Sequence, residues 1–247
     1  MKKFVVYVLL KILGTSSYKS FRSRVFILRR KMIGGYFSIN HLDKKLEKYV
    51  DFDNGFYVEL GANDGITQSN SLHFELKRNW SGVLVEPSPN KFLLCKENRS
   101  KKNFIFCNAC VGFDYKEKYV DIQYANLMTI SKNLNLDLSD KQNHIELGKQ
   151  FLNENEPVFE FGSVARTLTD LLNESSAPSL IDFLSLDVEG AELVVLKGID
   201  FDRYNFKYML IEIREFEIVE KFLLEFGYRC IEKFSIHDYL FEYSNSK

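Results

Sequence analysis

Acidic residues stand at or near the ends of apolar runs along this 247-residue sequence. The runs are rich in β-branched and aromatic residues, as is typical of strands that are buried on both faces. The acids are Glu59, Glu86, Asp187, Glu189 and Glu212. Each one alone could cap a helix or face solvent. Because parallel strands bring their carboxyl ends to one edge of a sheet, the whole set predicts a ligand site at that edge.

A turn that contains two glycines follows the run that begins at Phe56. Its candidate ligand-binding residues are Gly61, Asn63, Asp64 and Gly65. Glycine permits backbone angles and close approaches that a Cβ atom would block, and Asn63 tolerates left-handed geometry. A helical pattern begins at Ser69, so free backbone N–H groups at the helix start should point towards a ligand. Asn70 and Ser69 are near enough to take part, although helix capping is the better explanation for Ser69.

Glu86 ends the second run, Gly82–Val85, twenty-one residues after Gly65. A glycine turn after one strand and an acid at the tip of the next are typical of nucleoside sites, in which the acid accepts hydrogen bonds from ribose hydroxyls. Glu59 would repel the pyrophosphate of a dinucleotide, whereas it would attract the ammonium group of an amino acid. The pattern therefore favours a nucleoside ligand that also carries an ammonium group.

Three segments together resemble the FkbM family of S-adenosylmethionine-dependent methyltransferases: Val58–Gly65, Trp80–Pro87 and Asp182–Gly198. The resemblance covers roughly residues 56–243. It implies the α/β fold of the class I methyltransferases, a doubly wound Rossmann-like sheet with S-adenosylmethionine across the carboxyl ends of its strands. It also implies that the loop at Asn108 and Ala109 borders the adenine.

The order of elements agrees with this fold. Along residues 51–247, apolar runs alternate with helical patterns, which predicts one domain built on a doubly wound sheet with right-handed crossovers. The resemblance implies that this is the methyltransferase domain. The last two runs, Tyr228–Phe234 and Tyr239–Tyr243, are expected to pair as an antiparallel edge.

Residues 125–157 separate two of the core runs with a long polar segment. Long insertions between core strands are usually lids or binding loops, so this one is interpreted as an acceptor-binding or lid insertion. The pair Ser139 and Gln142 has the spacing of a capping box and predicts a helix start there. His144 follows within that helix and is a candidate for acceptor contact.

Asp187 and Glu189 are candidates for the general base that helps when the acceptor of a methyl group is a hydroxyl. Asp187 is the first choice because it stands at the tip of a central strand, yet either acid could instead bind the methionine ammonium group. Glu212 could assist, or could hold a divalent metal ion together with Asp187 through oxygen ligands. The spacing does not require a metal, so metal dependence stays open.

The family resemblance implies an O-methyltransferase that acts on a sugar hydroxyl of a surface polysaccharide or another glycan. Two alternatives stay open. A nicotinamide-dependent oxidoreductase would suit Glu86 equally well, but Glu59 and the lack of a second catalytic domain argue against it. A non-catalytic nucleoside-binding protein on the same scaffold is disfavoured by the acids at all the strand tips.

Positive charge is concentrated at the amino terminus. Residues 1–42 contain nine Lys or Arg and no acid, whereas the rest of the chain carries 24 basic and 34 acidic residues. Apolar runs interleave with these charges, so residues 1–50 are interpreted as a basic, apolar helical extension. It could lie on an anionic membrane surface, which would suit a lipid-linked acceptor, or pack on the domain or on a dimer partner. A membrane-spanning helix is excluded because Lys11 interrupts the first apolar run well before ~18 residues.

The net charge of −1 argues against a dedicated nucleic-acid-binding protein. Cys107 and Cys110 have C-x-x-C spacing, but they lie in the apolar run Phe104–Val111 and should face opposite sides of a strand, which argues against a zinc or redox motif. Unpaired thiols indicate a reducing compartment. We therefore expect a cytoplasmic protein that can associate with the inner face of the membrane.

Overall fold

The computed structural model describes residues 25–27, 35–154 and 156–244. Within these residues its strands are β1 (Phe56–Leu60), β2 (Ser81–Val85), β3 (Phe104–Phe106), β4 (Ala109–Cys110), β5 (Tyr119–Tyr124), β6 (Ile130–Ser131), β7 (Phe159–Arg166), β8 (Leu180–Leu186), β9 (Asn205–Glu212), β10 (Tyr228–Lys233) and β11 (Asp238–Tyr243). Its α-helices after residue 40 are α1 (Leu42–Leu46), α2 (Leu72–Arg78), α3 (Pro89–Asn98), α4 (Lys141–Gly148), α5 (Leu168–Glu174), α6 (Glu192–Leu196) and α7 (Phe216–Glu225).

The central sheet has the strand order β10-β11-β9-β8-β1-β2-β3. Strand β1 pairs in parallel with β2 on one side and with β8 on the other, whereas β11 runs antiparallel to both β9 and β10. The chain winds outwards from β1 to β3 and then returns to β8, so the winding reverses between β1 and β8. This topology confirms the predicted doubly wound α/β sheet and its antiparallel edge. Ligands of such sheets bind outside the carboxyl ends of the strands at the reversal point.

Both faces of the sheet are covered by apolar side chains. Consecutive residues of a strand point to opposite faces, so Tyr57 packs on one side with Phe183 and Trp80, while Val58 packs on the other with Leu184. All five side chains are buried. This two-sided burial explains why the central strands read as continuous apolar runs in the sequence.

The predicted amino-terminal extension falls mostly on residues 1–24 and 28–34, which lie outside the described residues. At the carboxyl end of this extension, helix α1 buries Leu42 and Leu46 in the core cluster that also contains Tyr57. No helix in the described part of the chain is long and apolar enough to cross a membrane.

A second sheet, with the order β4-β7-β5-β6, stands beside the central one. The apolar run Phe104–Val111 is therefore not a single strand as expected, because the chain leaves the central sheet after β3 and pairs β4 with β7 instead. Helix α4 begins one residue later than the capping box predicted. The carboxylate of Asp140 caps it by accepting a hydrogen bond from the backbone N–H of Asn143 over 2.9 Å.

Candidate active site

A cavity of about 300 Å³ opens at the carboxyl ends of the central strands. It lies where the winding of the sheet reverses, between the ends of β1 and β8. Among the predicted residues, those that line it are Glu59, Gly61, Asn63, Ser69, Asn70, Glu86, Asn108, Ala109, Asp187, Glu189 and Glu212. Asp64 and Gly65 lie outside this lining. Most of the acids and turn residues that the sequence singled out therefore face one space.

Glu86 is fixed at the end of β2 by backbone donors. Its Oε2 accepts a hydrogen bond from the N–H of Asn63 over 2.8 Å, and its Oε1 accepts one from the N–H of Ser88 over 2.8 Å. Burial raises the pKa of its carboxyl, and these donors and the nearby Lys91 partly offset that effect. Each carboxylate oxygen has a second acceptor position, so Glu86 can still bind hydroxyl groups in the cavity.

The two glycines of the turn are needed for packing. A Cβ atom at Gly61 (φ +79°) would lie 1.9 Å from the backbone oxygen of Asp187, and one at Gly65 (φ +78°) would lie 2.8 Å from the Cγ of Arg99. Asp64 stabilises the turn itself, because its Oδ1 accepts hydrogen bonds from the N–H groups of two later residues. The close approach predicted for these glycines is thus made to protein.

Glu59 joins a buried network around Arg99. Its Oε2 accepts hydrogen bonds from the hydroxyls of Ser69 and Ser71 and from Nη1 of Arg99, while its Oε1 accepts the backbone N–H of Asn70. The guanidinium of Arg99 therefore balances the charge of Glu59. Oε1 keeps one acceptor position, so the contact between Glu59 and an ammonium group stays a prediction.

Arg99 was missed by sequence reasoning. Its guanidinium is fully buried at the end of α3 and also contacts Glu75, the hydroxyl of Tyr57 and the backbone oxygen of Gly65. These partners come from β1, from the turn and from α2, at sequence separations of 24 to 42 residues. Such distant pairs leave no local sequence pattern that could have indicated the network.

Helix α2 begins at Leu72, three residues after the predicted start. The hydroxyl of Ser69 accepts hydrogen bonds from the backbone N–H groups of Ser71 and Leu72, so Ser69 stabilises the approach to the helix. Asn70 donates a hydrogen bond from Nδ2 to the hydroxyl of Ser185 over 3.0 Å, whereas its buried Oδ1 has no partner within the protein. A buried acceptor without a partner in the lining of a cavity suits a ligand that brings N–H donors.

Three carboxylates gather at the ends of β8 and β9. Oxygen atoms of Asp187, Glu189 and Glu212 all lie within 4.8 Å of one another. Asp187 is open to the cavity, yet the protein packed around it, together with Glu212 and Glu189, raises the pKa of its carboxyl well above its usual range. Burial and the charge of Glu189 also raise the pKa of Glu212. Because like charges this close repel one another, the cluster favours the uptake of a proton or of a cation.

The side chains of Arg214 and His144 lie next to this cluster, on the side of Glu189. Nη2 of Arg214 lies 3.1 Å from Oε2 of Glu189 and 3.7 Å from Oε1 of Glu212. Nε2 of His144 lies 3.0 Å from the same Oε2 of Glu189. His144 does not line the cavity, and its contact is with a predicted catalytic acid. Its contact with an acceptor stays a prediction. Arg214 was missed, although its position two residues after Glu212 could have indicated it.

The predicted adenine side of the cavity is formed by Asn108 and Ala109. Nδ2 of Asn108 donates a hydrogen bond to the backbone oxygen of Val164 over 3.0 Å, which fixes the side chain at the cavity wall. Apolar side chains, including Val85 and Leu134, line the space beside it. A flat aromatic ring would find apolar contact and a polar edge here.

The reversed winding at β1, the glycine turn after it and the acid that follows β2 are features of nucleoside-binding doubly wound sheets. Residues 59–230 match the family model of the methyltransferase FkbM domain. Because this match covers more than half of the chain, the protein belongs to the FkbM methyltransferase family. No protein among curated sequences matches the chain.

Solved structures resemble the chain only distantly. The METTL16 methyltransferase domain is 12% identical to this chain, with a TM-score of 0.43, and the match covers 84% of this chain. This chain spans 66% of the METTL16 domain, which is just under two thirds of its length. TrmK of M. capricolum, in complex with S-adenosylhomocysteine, is 8% identical with a TM-score of 0.41 over 86% of this chain and 73% of its own. A human methyltransferase 10 domain-containing protein is 11% identical with a TM-score of 0.39 over 83% and 80%.

Proposed function

We propose that this protein is an S-adenosylmethionine-dependent O-methyltransferase that acts on a sugar hydroxyl of a surface polysaccharide or another glycan. The observation that carries the proposal is the carboxylate of Asp187, which faces the cavity with a raised pKa beside Glu212. A hydroxyl is a weak nucleophile at neutral pH, and a carboxylate with a raised pKa is a better proton acceptor than an ordinary one.

The lining suits the cofactor of the family. Glu86 offers free acceptor positions to ribose hydroxyls, and the unpartnered Oδ1 of Asn70 suits the ammonium group of the methionine part. Asn108 and Ala109 provide the polar edge and the apolar wall for an adenine. Bound S-adenosylmethionine supplies an electrophilic methyl group, which passes to the acceptor oxygen as the C–S bond breaks and S-adenosylhomocysteine is left.

Asp187 takes the proton of the acceptor hydroxyl in this proposal. Glu212 lies within 4.8 Å of it, and burial and like charge raise the pKa of both carboxyls, so one of the two can hold a proton while the other stays ionised. Arg214 stabilises the remaining negative charge of the pair from the side of Glu189. This arrangement lets a proton enter the cluster without an unbalanced buried charge.

The acceptor is proposed to carry an apolar part, such as the lipid of a lipid-linked glycan. Ile39 and Phe151 are 50% and 39% exposed and line the same cavity as the apolar side chains of Leu127 and Met128. Sugars alone offer little to such a surface, whereas a lipid does. The basic, apolar residues 1–42 support a location at an anionic membrane surface on the cytoplasmic side, where such acceptors would be reached.

Production of S-adenosylhomocysteine tests the proposal. The full chain is incubated with S-adenosylmethionine and with glycan acceptors that do or do not carry a lipid, and product is measured by mass spectrometry. We expect S-adenosylhomocysteine together with a mass gain of one methyl group on a sugar oxygen. Binding of NAD instead of S-adenosylmethionine in calorimetry, or methylation at nitrogen, would overturn the proposal.

A further inference from the structure

We propose that the face around the mouth of the cavity docks on an anionic membrane, with exposed apolar side chains inserted among the lipids. The inference rests on the proposed function, because a lipid-linked acceptor has to be reached from the membrane surface, and it adds which face of the protein turns towards that surface. Four exposed side chains define this docking face: Ile39, Leu147, Phe151 and Ile236. They come from three separate parts of the chain, namely the approach to α1, the insertion and the turn between β10 and β11.

Two of the four side chains belong to the insertion. Phe151 lines the cavity, and Leu147, which is 49% exposed, precedes it by four residues in a helical segment. Residues at this spacing share a face of a helix, so Leu147 extends the apolar surface of Phe151. The side-chain amide of Asn126 donates a hydrogen bond to the backbone oxygen of Phe151 over 2.6 Å, and its Oδ1 accepts one from Nζ of the buried Lys91 over 2.8 Å. The pair is thus held at the mouth by contacts to the domain.

Ile39 lies where the amino-terminal extension joins the domain. Its side chain lines the cavity, and the two residues before it are fixed by the buried carboxylate of Asp43. Oδ2 of Asp43 accepts the backbone N–H of Phe37 over 2.6 Å, and Oδ1 accepts the hydroxyl of Ser38 over 2.6 Å. Residues 1–34 contain nine Lys or Arg and no acid. A strongly basic stretch of sequence therefore precedes a segment that is anchored at the mouth.

Ile236 lies at the same edge of the central sheet. Asp238, at the start of β11, pairs with Glu212, which ends β9 and lines the cavity. The turn between β10 and β11 therefore projects beyond the carboxyl ends of the parallel strands, and Ile236 in this turn is 76% exposed. Nζ of Lys45 donates a hydrogen bond to the backbone oxygen of Phe234, which ties the turn to α1. The turn and the approach to α1 are thus parts of one surface.

The combination of exposed apolar side chains with positive charge favours an anionic membrane as the partner. Single exposed apolar residues are ordinary on soluble proteins. Here they stand at the edge of the sheet where the cavity opens, and a basic stretch of sequence leads into that edge. A surface of this kind binds lipid by burying its apolar groups at the head-group boundary while basic residues attract anionic lipids. A docked mouth would let the lipid part of an acceptor stay in the membrane while its sugar enters the cavity.

Tryptophan reporters on the full chain test the docking face. The native chain has one tryptophan, the buried Trp80, so a new tryptophan reports its own surroundings. Phe151→Trp and Leu147→Trp are mixed at low salt with vesicles of phosphatidylglycerol and phosphatidylcholine, with or without bromine on the lipid chains. We expect a blue shift of the emission and quenching by brominated lipid at least about twofold stronger than for Leu180→Trp. Leu180 is the matched control because it is 45% exposed at the amino end of β8, the opposite edge of the sheet.

Loss of the apolar side chains should also weaken vesicle binding. The double variant Leu147→Ser and Ile236→Ser should bind vesicles at least about tenfold more weakly than the native chain, since removal of apolar surface from water drives insertion. Its control, Leu180→Ser and Leu224→Ser, removes two similarly exposed side chains and should bind like the native chain. Circular dichroism checks that both variants fold, and if the first does not, the tryptophan reporters decide.

Equal quenching of the three reporters, or none, would overturn the inference. An emission of Phe151→Trp that is already blue-shifted without vesicles and unchanged by them would also overturn it, because another part of the chain or a second copy would then cover the mouth. Formation of S-adenosylhomocysteine with a glycan that carries no lipid is measured on the native chain in parallel. Methyl transfer without reporter quenching would remove the docking face and leave the methyltransferase activity standing, whereas quenching without methyl transfer would sustain the docking face and count against the proposed function.

Discussion

The backbone N–H of Asn63 donates a hydrogen bond to Oε2 of Glu86 over 2.8 Å. This contact joins the turn after β1 to the acid that ends β2. The acid is therefore positioned by the same turn that lines the cavity, and Ser88 fixes its other oxygen. The carboxylate that is proposed to bind the ribose hydroxyls is thus held in place by two backbone donors of the protein itself.

Glu86→Gln is expected to weaken the binding of S-adenosylmethionine. The amide keeps the shape of the side chain, but it loses the charge and turns one acceptor into a donor that faces the N–H of Asn63 or Ser88. Hydrogen bonds to a charged group contribute about 1.5–3 kcal/mol each, so the dissociation constant should rise by at least about tenfold. Titration calorimetry measures this constant. Glu97→Gln, at an exposed acid of α3, is the control, and an unchanged constant for Glu86→Gln would remove Glu86 from the binding site.

Asp187→Asn is expected to lower turnover by at least ~10², the scale typical of the loss of a general base. The amide cannot accept the acceptor proton, although it fills the same space. The rate is measured as S-adenosylhomocysteine formed at saturating substrates. Asp202→Asn, at an exposed acid, serves as the control. A rate equal to that of the native chain would exclude Asp187 from the proposed proton transfer.

Glu192 predicts a pH dependence of stability. Burial raises the pKa of its carboxyl from 4.5 to about 7, although the backbone N–H groups of Val188 and Gly190 bind it. An acid with a raised pKa stabilises the fold below its unfolded pKa, and this contribution is lost as the pH rises. The free energy of unfolding should therefore fall between about pH 4.5 and 7, by up to about 3 kcal/mol from this group.

Urea denaturation at several pH values measures the effect of Glu192. Glu192→Gln mimics the protonated side chain, so the native chain should lose stability relative to this variant as the pH rises through the window. Comparison of the two chains removes the contribution of the other acids. Parallel pH profiles for the native chain and Glu192→Gln would contradict the prediction.

Arg99→Met is expected to destabilise the protein by about 3–5 kcal/mol, because it leaves Glu59 and Glu75 buried without a counter-charge. The midpoint of urea denaturation measures this change. Arg229→Met removes an exposed ion pair with Glu242 and should cost no more than about 1 kcal/mol. Equal effects of the two substitutions would show that the buried network does not stabilise the fold.

Binding to anionic vesicles tests the role proposed for residues 1–42. The triple variant Arg29→Gln, Arg30→Gln and Lys31→Gln should co-sediment far less than the native chain at low salt, since each basic residue near such a surface contributes about 1 kcal/mol. Loss of binding at high salt is also expected. A native chain that stays in the supernatant with anionic vesicles at low salt would overturn the membrane proposal.

The control for vesicle binding neutralises three exposed lysines elsewhere in the chain. Lys101→Gln, Lys116→Gln and Lys118→Gln likewise remove three positive charges, but from the methyltransferase domain. This variant should sediment like the native chain. A loss of binding equal to that of the amino-terminal variant would show that net charge, and not residues 1–42, governs the attraction.

The sequence was sufficient to predict the central sheet because its central strands are buried on both faces and therefore read as continuous apolar runs. The carboxyl-end rule for parallel strands then brought Glu86, Asp187 and Glu212 to one cavity. The helix starts were less predictable. Asp140 caps α4 in place of Ser139, since either residue offers a side-chain oxygen and only the local backbone geometry selects one.

The side-chain networks could not be predicted from the sequence. Arg99 contacts groups on three elements, and no periodicity or spacing links residues so far apart in the chain. The pairing of His144 with Glu189 depends on how α4 packs against the turn after β8, which is a tertiary contact between segments 45 residues apart. Local patterns specify elements and their ends, whereas these contacts depend on the assembled fold.

Gly61 carries a hydrogen atom where any other residue would carry a carbon, and the backbone oxygen of Asp187 occupies that side. The turn after β1 and the strand end that bears the proposed base are therefore in direct backbone contact. Neither can be displaced without moving the other. Redesign of the turn after β1 would accordingly also alter the position of Asp187, so these two parts of the cavity wall have to be changed together.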